Sequence, residues 1–427
     1  MILFLMLLGL VILVFINVPI AVALAVVATV AILLTQGAYM LPNVALVMYE
    51  GAQSFPLLAI PMFILAGAIM NSSGISRRLI AFASALVGFI RGGLAMVNIT
   101  TSMFFAEISG SAVADVAAIG PILIPAMERR GYPRAFAAAV TSSAASLAII
   151  IPPSIPMILY GVMSGSSIVQ LFVAGIVPGI LGGGGMMAMS YWLARRLGWP
   201  VEEVFQLRRV WATFKDAAWA FIIPVIILGS IFSGLVTATE GAGLAVVAAL
   251  FVGGVIYREL NWAFLYKAAI DGAVQTAVVM LLVAASALLG VYLTEQQVPQ
   301  KIAQAILDFT QNRYVVLAIL NVFFLIIGLF LHSAAAIILV VPIVMPLINS
   351  VGIDPVHFGL IVTLNLAIGQ QTPPVASVLI AACSVAKVGI WEVTKVNVWF
   401  IGVLLAVLLL VTYVPPVPMA LVDYFYN

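Results

Sequence analysis

Apolar residues in this chain run in blocks about as long as the roughly 20 residues that cross a bilayer as a helix. Blocks at 1–16, 19–36, 55–72, 134–164, 168–194, 217–236, 239–257, 269–292, 355–383 and 396–420 qualify or nearly do. Residues 1–36 read either as one long tilted helix or as two short spans turning at Asn17-Val18-Pro19. Two further stretches, 93–131 and 314–350, are too long for a single crossing. Each is interrupted near its middle, by Glu107 to Ser111 in one and by His332-Ser333 in the other. That pattern predicts a re-entrant helical hairpin, entering and leaving on one side, in each. Segments 77–91 and 296–312 are semi-apolar. The second spaces Val298, Ile302, Ile306 and Phe309 at helical intervals among polar residues, as an interfacial helix does.

Composition fixes the environment of these blocks. The 427 residues are 65% hydrophobic and only 7% charged, against about 25% charged in a soluble domain. The fold class is therefore an all-α polytopic membrane protein, most of whose exterior faces lipid. One cysteine, Cys383, and two histidines, His332 and His357, exclude a disulfide scaffold and a His/Cys metal centre, and no cofactor is expected. The Gly182–Gly185 run lacks the Lys-Ser/Thr of a phosphate-binding loop, so energy has to come from an ion gradient. A net charge of +2 with no basic stripe argues against a nucleic-acid partner. The first 24 residues lack a basic n-region and a small-residue cleavage site, and are read as mature membrane segment.

Charge then reports sidedness. With both hairpins re-entrant and 1–36 crossing twice, fifteen of the seventeen Lys and Arg fall on one face, and only Lys301 and Arg313 lie opposite. The positive-inside rule makes that face cytoplasmic and puts both termini in the periplasm. The 195–216 segment, carrying five of the fifteen, reads as the main cytoplasmic loop and divides two halves, 1–194 and 217–427. These halves are related. Pro121, Pro125 and Gly131 lie over Pro342, Pro346 and Gly352; Phe136 and Thr141 over Phe358 and Thr363; Pro152-Pro153 over Pro373-Pro374. Five crossings separate equivalent points, so the copies are inverted, a hallmark of secondary transporters. Each half is expected to hold about five spans, a hairpin (about 93–131 and 314–350) and a broken helix (134–164 and 355–383).

Candidate chemistry gathers at the hairpin tips and the breaks. A Pro-Pro pair removes two backbone donors and frees carbonyls upstream. Ser142, Ser143, Ser146, Asn365, Gln370, Gln371 and Thr372 add neutral oxygens there, and the tips contribute Ser109, Gly110, Ser111 and Ser333. Hard neutral oxygens with few carboxylates suit a weakly held monovalent ion such as Na⁺. No arginine falls mid-span, so an anionic substrate is expected at half-helix N-termini. Between tips and breaks it would meet Ser111, Asp115, Pro152, Pro153, Ser154, Gln370, Gln371, Pro373 and Pro374. Glu107 and Asp115 are intramembrane ionisable groups and so functional candidates. Asp115 has the alternative of capping its own hairpin limb, and His332 those of pairing with Glu107, shuttling a proton or bonding to backbone.

At SGSAVADVAAIG (109–120), IIPPSIPMILYG (150–161), SGLVTATEGAG (233–243) and QTPPVA (371–376), the chain resembles the large membrane subunit of tripartite ATP-independent periplasmic transporters. The likeness runs over essentially the whole chain. It implies a sodium-driven elevator importer of the ion transporter superfamily, in the bacterial inner membrane and not an enzyme. It further implies an organic-acid substrate, sialic acid or a related sugar acid before C4-dicarboxylates. The partners would be a soluble periplasmic binding protein and a small four-span membrane subunit on a separate chain. The family's ion sites, carried over, fall at Ser109 to Ser111 with Ser143 and Ser146, and at the second tip with Ser333, Asn365, Gly369 and Thr372. The scaffold would be about 1–91 and 217–312, the moving domain about 92–195 and 313–427. This chain departs from the family, which tends to have Asp at His332, a small residue at Glu107, Pro at Ala238 and Gly at Ala376. Glu107 is accordingly expected to replace, opposite His332, the carboxylate lost there. The rival reading is a stand-alone sodium/dicarboxylate symporter. A channel or membrane enzyme would need pore-lining charge rings or a convergent His/Asp/Glu set, and neither is visible.

Overall fold

The computed structural model describes residues 2–16, 18–199, 201 and 204–426. Every regular element among them is helical, and eight helical stretches are long and apolar enough to cross a membrane. The chain opens with two separate helices, α1 (Ile2–Phe15) and α2 (Ile20–Gln36), so residues 1–36 do not form one long helix. Pro19, which lacks an N–H, stands at the start of α2, where that donor would be unpaired anyway. Helix α3 (Leu41–Gly51) escaped the hydropathy reading because Asn43 and Glu50 dilute it; α4 (Ala59–Ser72) lies in the expected span.

Helix α5 (Ile75–Val87) buries Ile75, Leu79, Phe82 and Ala83 at amphipathic spacing. On it Arg78 joins Glu259 at 2.7 Å and Asp216 at 3.3 Å and lies 3.8 Å from the centre of the Tyr257 ring. Next come α6 (Gly93–Ser109) and α7 (Ala112–Arg129), joined by only Gly110 and Ser111. Then α8 (Arg134–Ala145) ends in a 3₁₀ turn over Ser146–Ile149, residues 150–154 carry the proline pair, and α9 (Ile155–Ser164) resumes. Helix α10 (Ile168–Arg196) is capped by Ser167 Oγ, which accepts the Gln170 N–H at 3.3 Å.

The connection between halves is shorter than expected. Helix α11 (Leu207–Phe232) already contains Arg208, Arg209 and Lys215, so residues 207–216 are helix and not loop. The charges lowered the local hydropathy while Trp211, Phe214 and Trp219 kept the helical pattern. Helix α12 (Ala238–Phe251) starts with a capping box, Thr237 with Glu240, and runs into a π turn at Val252–Ile256. Helix α13 (Trp262–Glu295) is 34 residues long, and α14 (Val298–Phe309) is the amphipathic segment. A second pair, α15 (Arg313–Phe330) and α16 (Ser333–Ser350), is joined by Leu331 and His332. Helix α17 (Pro355–Gly369), capped by Asp354, is broken over residues 370–376 before α18 (Ser377–Ala386). The last apolar block is two helices, α19 (Ile390–Tyr413) and α20 (Pro416–Tyr426), divided at Val414-Pro415.

Packing sorts the helices into two groups. Helix α13 lies along α2, α3 and α4, with α12 on α4 and α11 on α5 and α12. In the other group α8 packs on α6, α7, α18 and α19, α15 on α17, and α16 on α9. Helices α5 and α14 touch both: α5 lies on α11 and α6, and α14 on α13 and α16.

Candidate functional site

At the first tip the backbone turns left-handed at Gly110, with φ of +57°. Its carbonyl accepts the Ile155 N–H at 3.4 Å, and a Cβ there would lie 2.8 Å from the Pro153 carbonyl oxygen. Only glycine meets both demands. The tip thus stops against the break between α8 and α9. Asp115, fully buried in the first turn of α7, accepts the Ser109 hydroxyl, and its other oxygen has no partner. It holds the tip together without being the cap, since Ser111 stands at that position.

The second tip docks on the second break by a different contact. The Leu329 carbonyl accepts the Val375 N–H at 3.2 Å, and a Cβ on Gly369 would sit 2.5 Å from the Gly328 Cα. Helices α15 and α17 therefore touch backbone to backbone. His332 stands at the N-cap of α16, its Nδ1 accepting the Ala334 N–H at 3.4 Å. Both proline pairs, Pro152-Pro153 and Pro373-Pro374, are cis.

Between the breaks lies a buried amide and hydroxyl network. Ser143 Oγ is 2.7 Å from Gln371 Oε1 and 2.6 Å from Asn397 Oδ1, while Gln371 Nε2 donates to Ser146 Oγ at 2.6 Å. Asn397 also donates to the Gln371 carbonyl at 3.2 Å. A second network links Asn365 Nδ2 to Asn321 Oδ1 at 2.7 Å and Asn321 Nδ2 to Thr412 Oγ1 at 3.1 Å, leaving Asn365 Oδ1 unpartnered. Asn397, Asn321 and Thr412 were missed in the sequence. The signal was there, as polar side chains inside apolar spans.

A cavity of about 610 Å³ opens between the two groups of helices. Gly110 and Ser111 line it from the first tip, His332 and Ser333 from the second, and Ile149, Ile155 and Gln370 from the breaks. Pro19 and Ile20 at the start of α2, Ile64 of α4 and Gln275 of α13 close the opposite wall. Of the residues predicted around the substrate, Ser111 and Gln370 reach this wall, whereas Asp115, Pro152, Pro153, Ser154, Gln371, Pro373 and Pro374 do not line it. The Ser154 hydroxyl is turned back to the Ile149 carbonyl at 2.7 Å, and Thr372 Oγ1 to the Ile368 carbonyl at 2.9 Å. The expected Glu107 to His332 pair is absent. The ion pairs among the described residues join Arg77 and Arg78 to Glu259, Arg78 to Asp216, and Arg134 to Glu128. Glu107 lies in the last turn of α6 outside the cavity wall, and backbone takes the His332 Nδ1 lone pair instead.

Residues 7–417 match the family of the tripartite ATP-independent periplasmic transporter, DctM component. The chain is 42% identical over 405 residues to the isethionate TRAP transporter permease protein DctMQ of Oleidesulfovibrio alaskensis, covering 95% of this chain but 64% of that one. It is 39% identical over 362 residues to the C4-dicarboxylate TRAP transporter large permease protein DctM of Pseudomonas aeruginosa, covering 85% of each. The crystal structure of the Alcanivorax borkumensis YdaH transporter has a similar fold, with a TM-score of 0.62 and 16% identity over 92% of this chain and 90% of that one. With helices fit to cross a bilayer many times and a family match over nearly its full length, this chain belongs to the DctM family of tripartite ATP-independent periplasmic transporters and is a multi-pass inner-membrane protein.

Proposed function

We propose that this chain is the membrane permease of a sodium-driven, binding-protein-dependent importer of an organic acid. The observation that carries the reading is the cavity, whose wall combines both hairpin tips and both breaks on one side with α2, α4 and α13 on the other. The N-termini of α7, α9 and α16 meet there, and helix N-termini favour an anion. Relatives named for isethionate and for C4-dicarboxylate set small acids beside the sugar acids, sialic acid among them, toward which the sequence leaned.

Sodium is read as the coupling ion carried with the substrate. The Ser143 hydroxyl has one hydrogen but two carbonyl acceptors at bonding distance, and Asn365 Oδ1 is buried without a partner. Surplus hard oxygens of this kind suit a monovalent cation. The cavity lies between the two helix groups and the networks lie within the tip-bearing group, with α5 and α14 bridging the two groups, so sliding of the tip-bearing group against α2, α4 and α13 would carry cavity and networks across the membrane. Both termini are read as periplasmic, a reading that the bias of Lys and Arg along the chain supports. A small four-span membrane subunit and a periplasmic binding protein complete the assembly; the part of the longer DctMQ relative beyond this chain is where a fused small subunit fits.

Proteoliposomes holding this chain and the small subunit, given an inward Na⁺ gradient, test the reading with labelled isethionate, succinate and sialic acid. Uptake of one acid that needs both Na⁺ and the binding protein is expected. Uptake without the binding protein would point to a stand-alone symporter, and uptake without Na⁺ would remove the coupling ion.

A further inference from the structure

The two tips present unlike electrostatics to the one cavity. In the first, Asp115 already sits in the opening turn of α7, where its carboxylate answers the positive end of the helix. In the second, the opening turn of α16 holds no acidic residue. His332 takes the capping place, and accepting the Ala334 N–H requires its Nδ1 to be unprotonated. The ring hydrogen is then on Nε2. That N–H has no partner among the described residues, and His332 forms part of the cavity wall. Gln370 lines the same wall. Its side chain is 2% exposed, its Oε1 accepts the Ser377 hydroxyl at 3.3 Å, and its Nε2 has no partner. A buried amide donor left unpaired is costly unless something accepts from it.

We infer that the acid group of the substrate is held at the second tip, accepting hydrogen bonds from His332 Nε2 and Gln370 Nε2 at the N-terminus of α16. The first tip, with Asp115 behind it, faces the far end of the same molecule. Three features meet here that the first tip lacks: an uncompensated helix N-terminus, an imidazole N–H with no protein partner, and an orphaned amide donor. Carboxylate and sulfonate share the acceptor oxygens this arrangement needs, so it does not by itself choose between them.

The assignment rests on the proposed transport of organic acids, and its test separates the two. Asp and Asn both cap helices well, so His332→Asp and His332→Asn keep the Ala334 bond. The first replaces the cavity donor with a negative charge; the second keeps an N–H donor. In the uptake assay, run with isethionate as the sulfonate arm and succinate as the carboxylate arm, His332→Asp should raise KM about 10- to 100-fold while His332→Asn stays within about 5-fold of wild type. Gln370→Met should raise KM by about 10-fold. The chain has only two histidines, so ¹⁵N-histidine NMR of the full chain in nanodiscs gives a second readout. Adding an accepted acid should move the His332 Nε2 signal, assigned by its loss in His332→Asn, and leave that of His357, whose Nε2 is committed to the Val411 carbonyl at 2.7 Å. Unchanged KM in His332→Asp, or a His332 signal that no acid moves, overturns the proposal. If wild type takes up none of the acids, the transport reading fails, and the NMR titration still decides whether this tip binds them.

Discussion

At the first hairpin tip the chain docks through Gly110, which brings its own carbonyl to Ile155; at the second it docks through Leu329 and Val375, over a bare contact between Gly328 and Gly369. Both tips end a pair of helices of 17 or 18 residues, both meet a break built on Pro-Pro, and both face one cavity. They differ in what they carry there: a carboxylate tied to a serine in one, an imidazole capping a helix in the other. The same hairpin-and-break arrangement thus occurs twice, and single side chains set the two tips apart.

The largest effect is expected where backbones touch. Gly369→Leu must push α17 off α15, because even a Cβ would lie 2.5 Å from Gly328. Overpacking of this sort costs about 1–3 kcal/mol, and here it also displaces the break from the tip, so uptake should drop at least about 100-fold. Gly110→Ala, with a left-handed φ and a 2.8 Å approach to Pro153, should be nearly as harmful at the first tip. Equal uptake in wild type and both variants would break the comparison at its root.

Next in size is the network between the breaks. Gln371→Leu removes the side-chain bonds to Ser143 and Ser146 and the 3.5 Å contact from Asn397, at about 0.5–1.5 kcal/mol for each bond lost, while Asn397 keeps the Gln371 carbonyl. Thermal unfolding in detergent should move down by several degrees, and the Na⁺ concentration for half-maximal uptake should rise. Asn321→Leu touches only the second network, where Asn365 keeps its bond to the Ile361 carbonyl at 2.7 Å, so its effect on unfolding should be smaller. Reversal of that order would mean that the first network contributes little.

Asp115→Asn sharpens the contrast between tips. The amide can still accept from Ser109, but the first helix end loses its counter-charge. Half-maximal Na⁺ should rise about 10-fold while substrate KM changes by less than about 3-fold. A larger change in KM than in Na⁺ dependence would assign Asp115 to the acid instead.

The smallest expected effect lies away from the cavity, at Arg78. Its guanidinium, with Arg77, holds the Glu259 carboxyl below the usual glutamate range. A depressed carboxyl pKa gives stability that is present above the unfolded value, about 4.3, and is lost as pH falls through the folded value. The pair is partly exposed, so this amounts to less than about 1 kcal/mol. Melting temperature should fall on acidification below about pH 4, and Glu259→Gln should flatten that fall.

Much of this architecture was legible because lipid forces long apolar blocks and each Pro-Pro pair interrupts a helix, whereas single prolines stay inside α7, α10, α11 and α16. The pairs Pro152-Pro153 and Pro373-Pro374 and the interruptions at 107–111 and 332–333 marked the elements that now surround the cavity. Hydropathy blurred helices whose ends carry charge: α11 begins at Leu207 despite Arg208 and Arg209, and α3 passed unnoticed around Asn43 and Glu50. Side-chain direction was less legible. Gln370 and Gln371 are neighbours in sequence, yet one lines the cavity and the other ties the two breaks together. Glu107 and His332 stand at equivalent interruptions without forming an ion pair, because each hairpin turns its polar residue toward different surroundings. Asn397 and Asn321 became meaningful only when helices distant in sequence were brought beside the breaks.

The most direct measurement of the central claim is thiol protection in the cavity. With Cys383, the sole native cysteine, replaced by serine, a cysteine at Ser111 or at Ser333 reports one tip each, and its alkylation rate is followed in proteoliposomes with Na⁺ and the acid that supports uptake. The account predicts that the acid slows labelling at both positions by about 10-fold or more, and that it does so only with Na⁺ present. Labelling at both positions that is indifferent to the acid would contradict it.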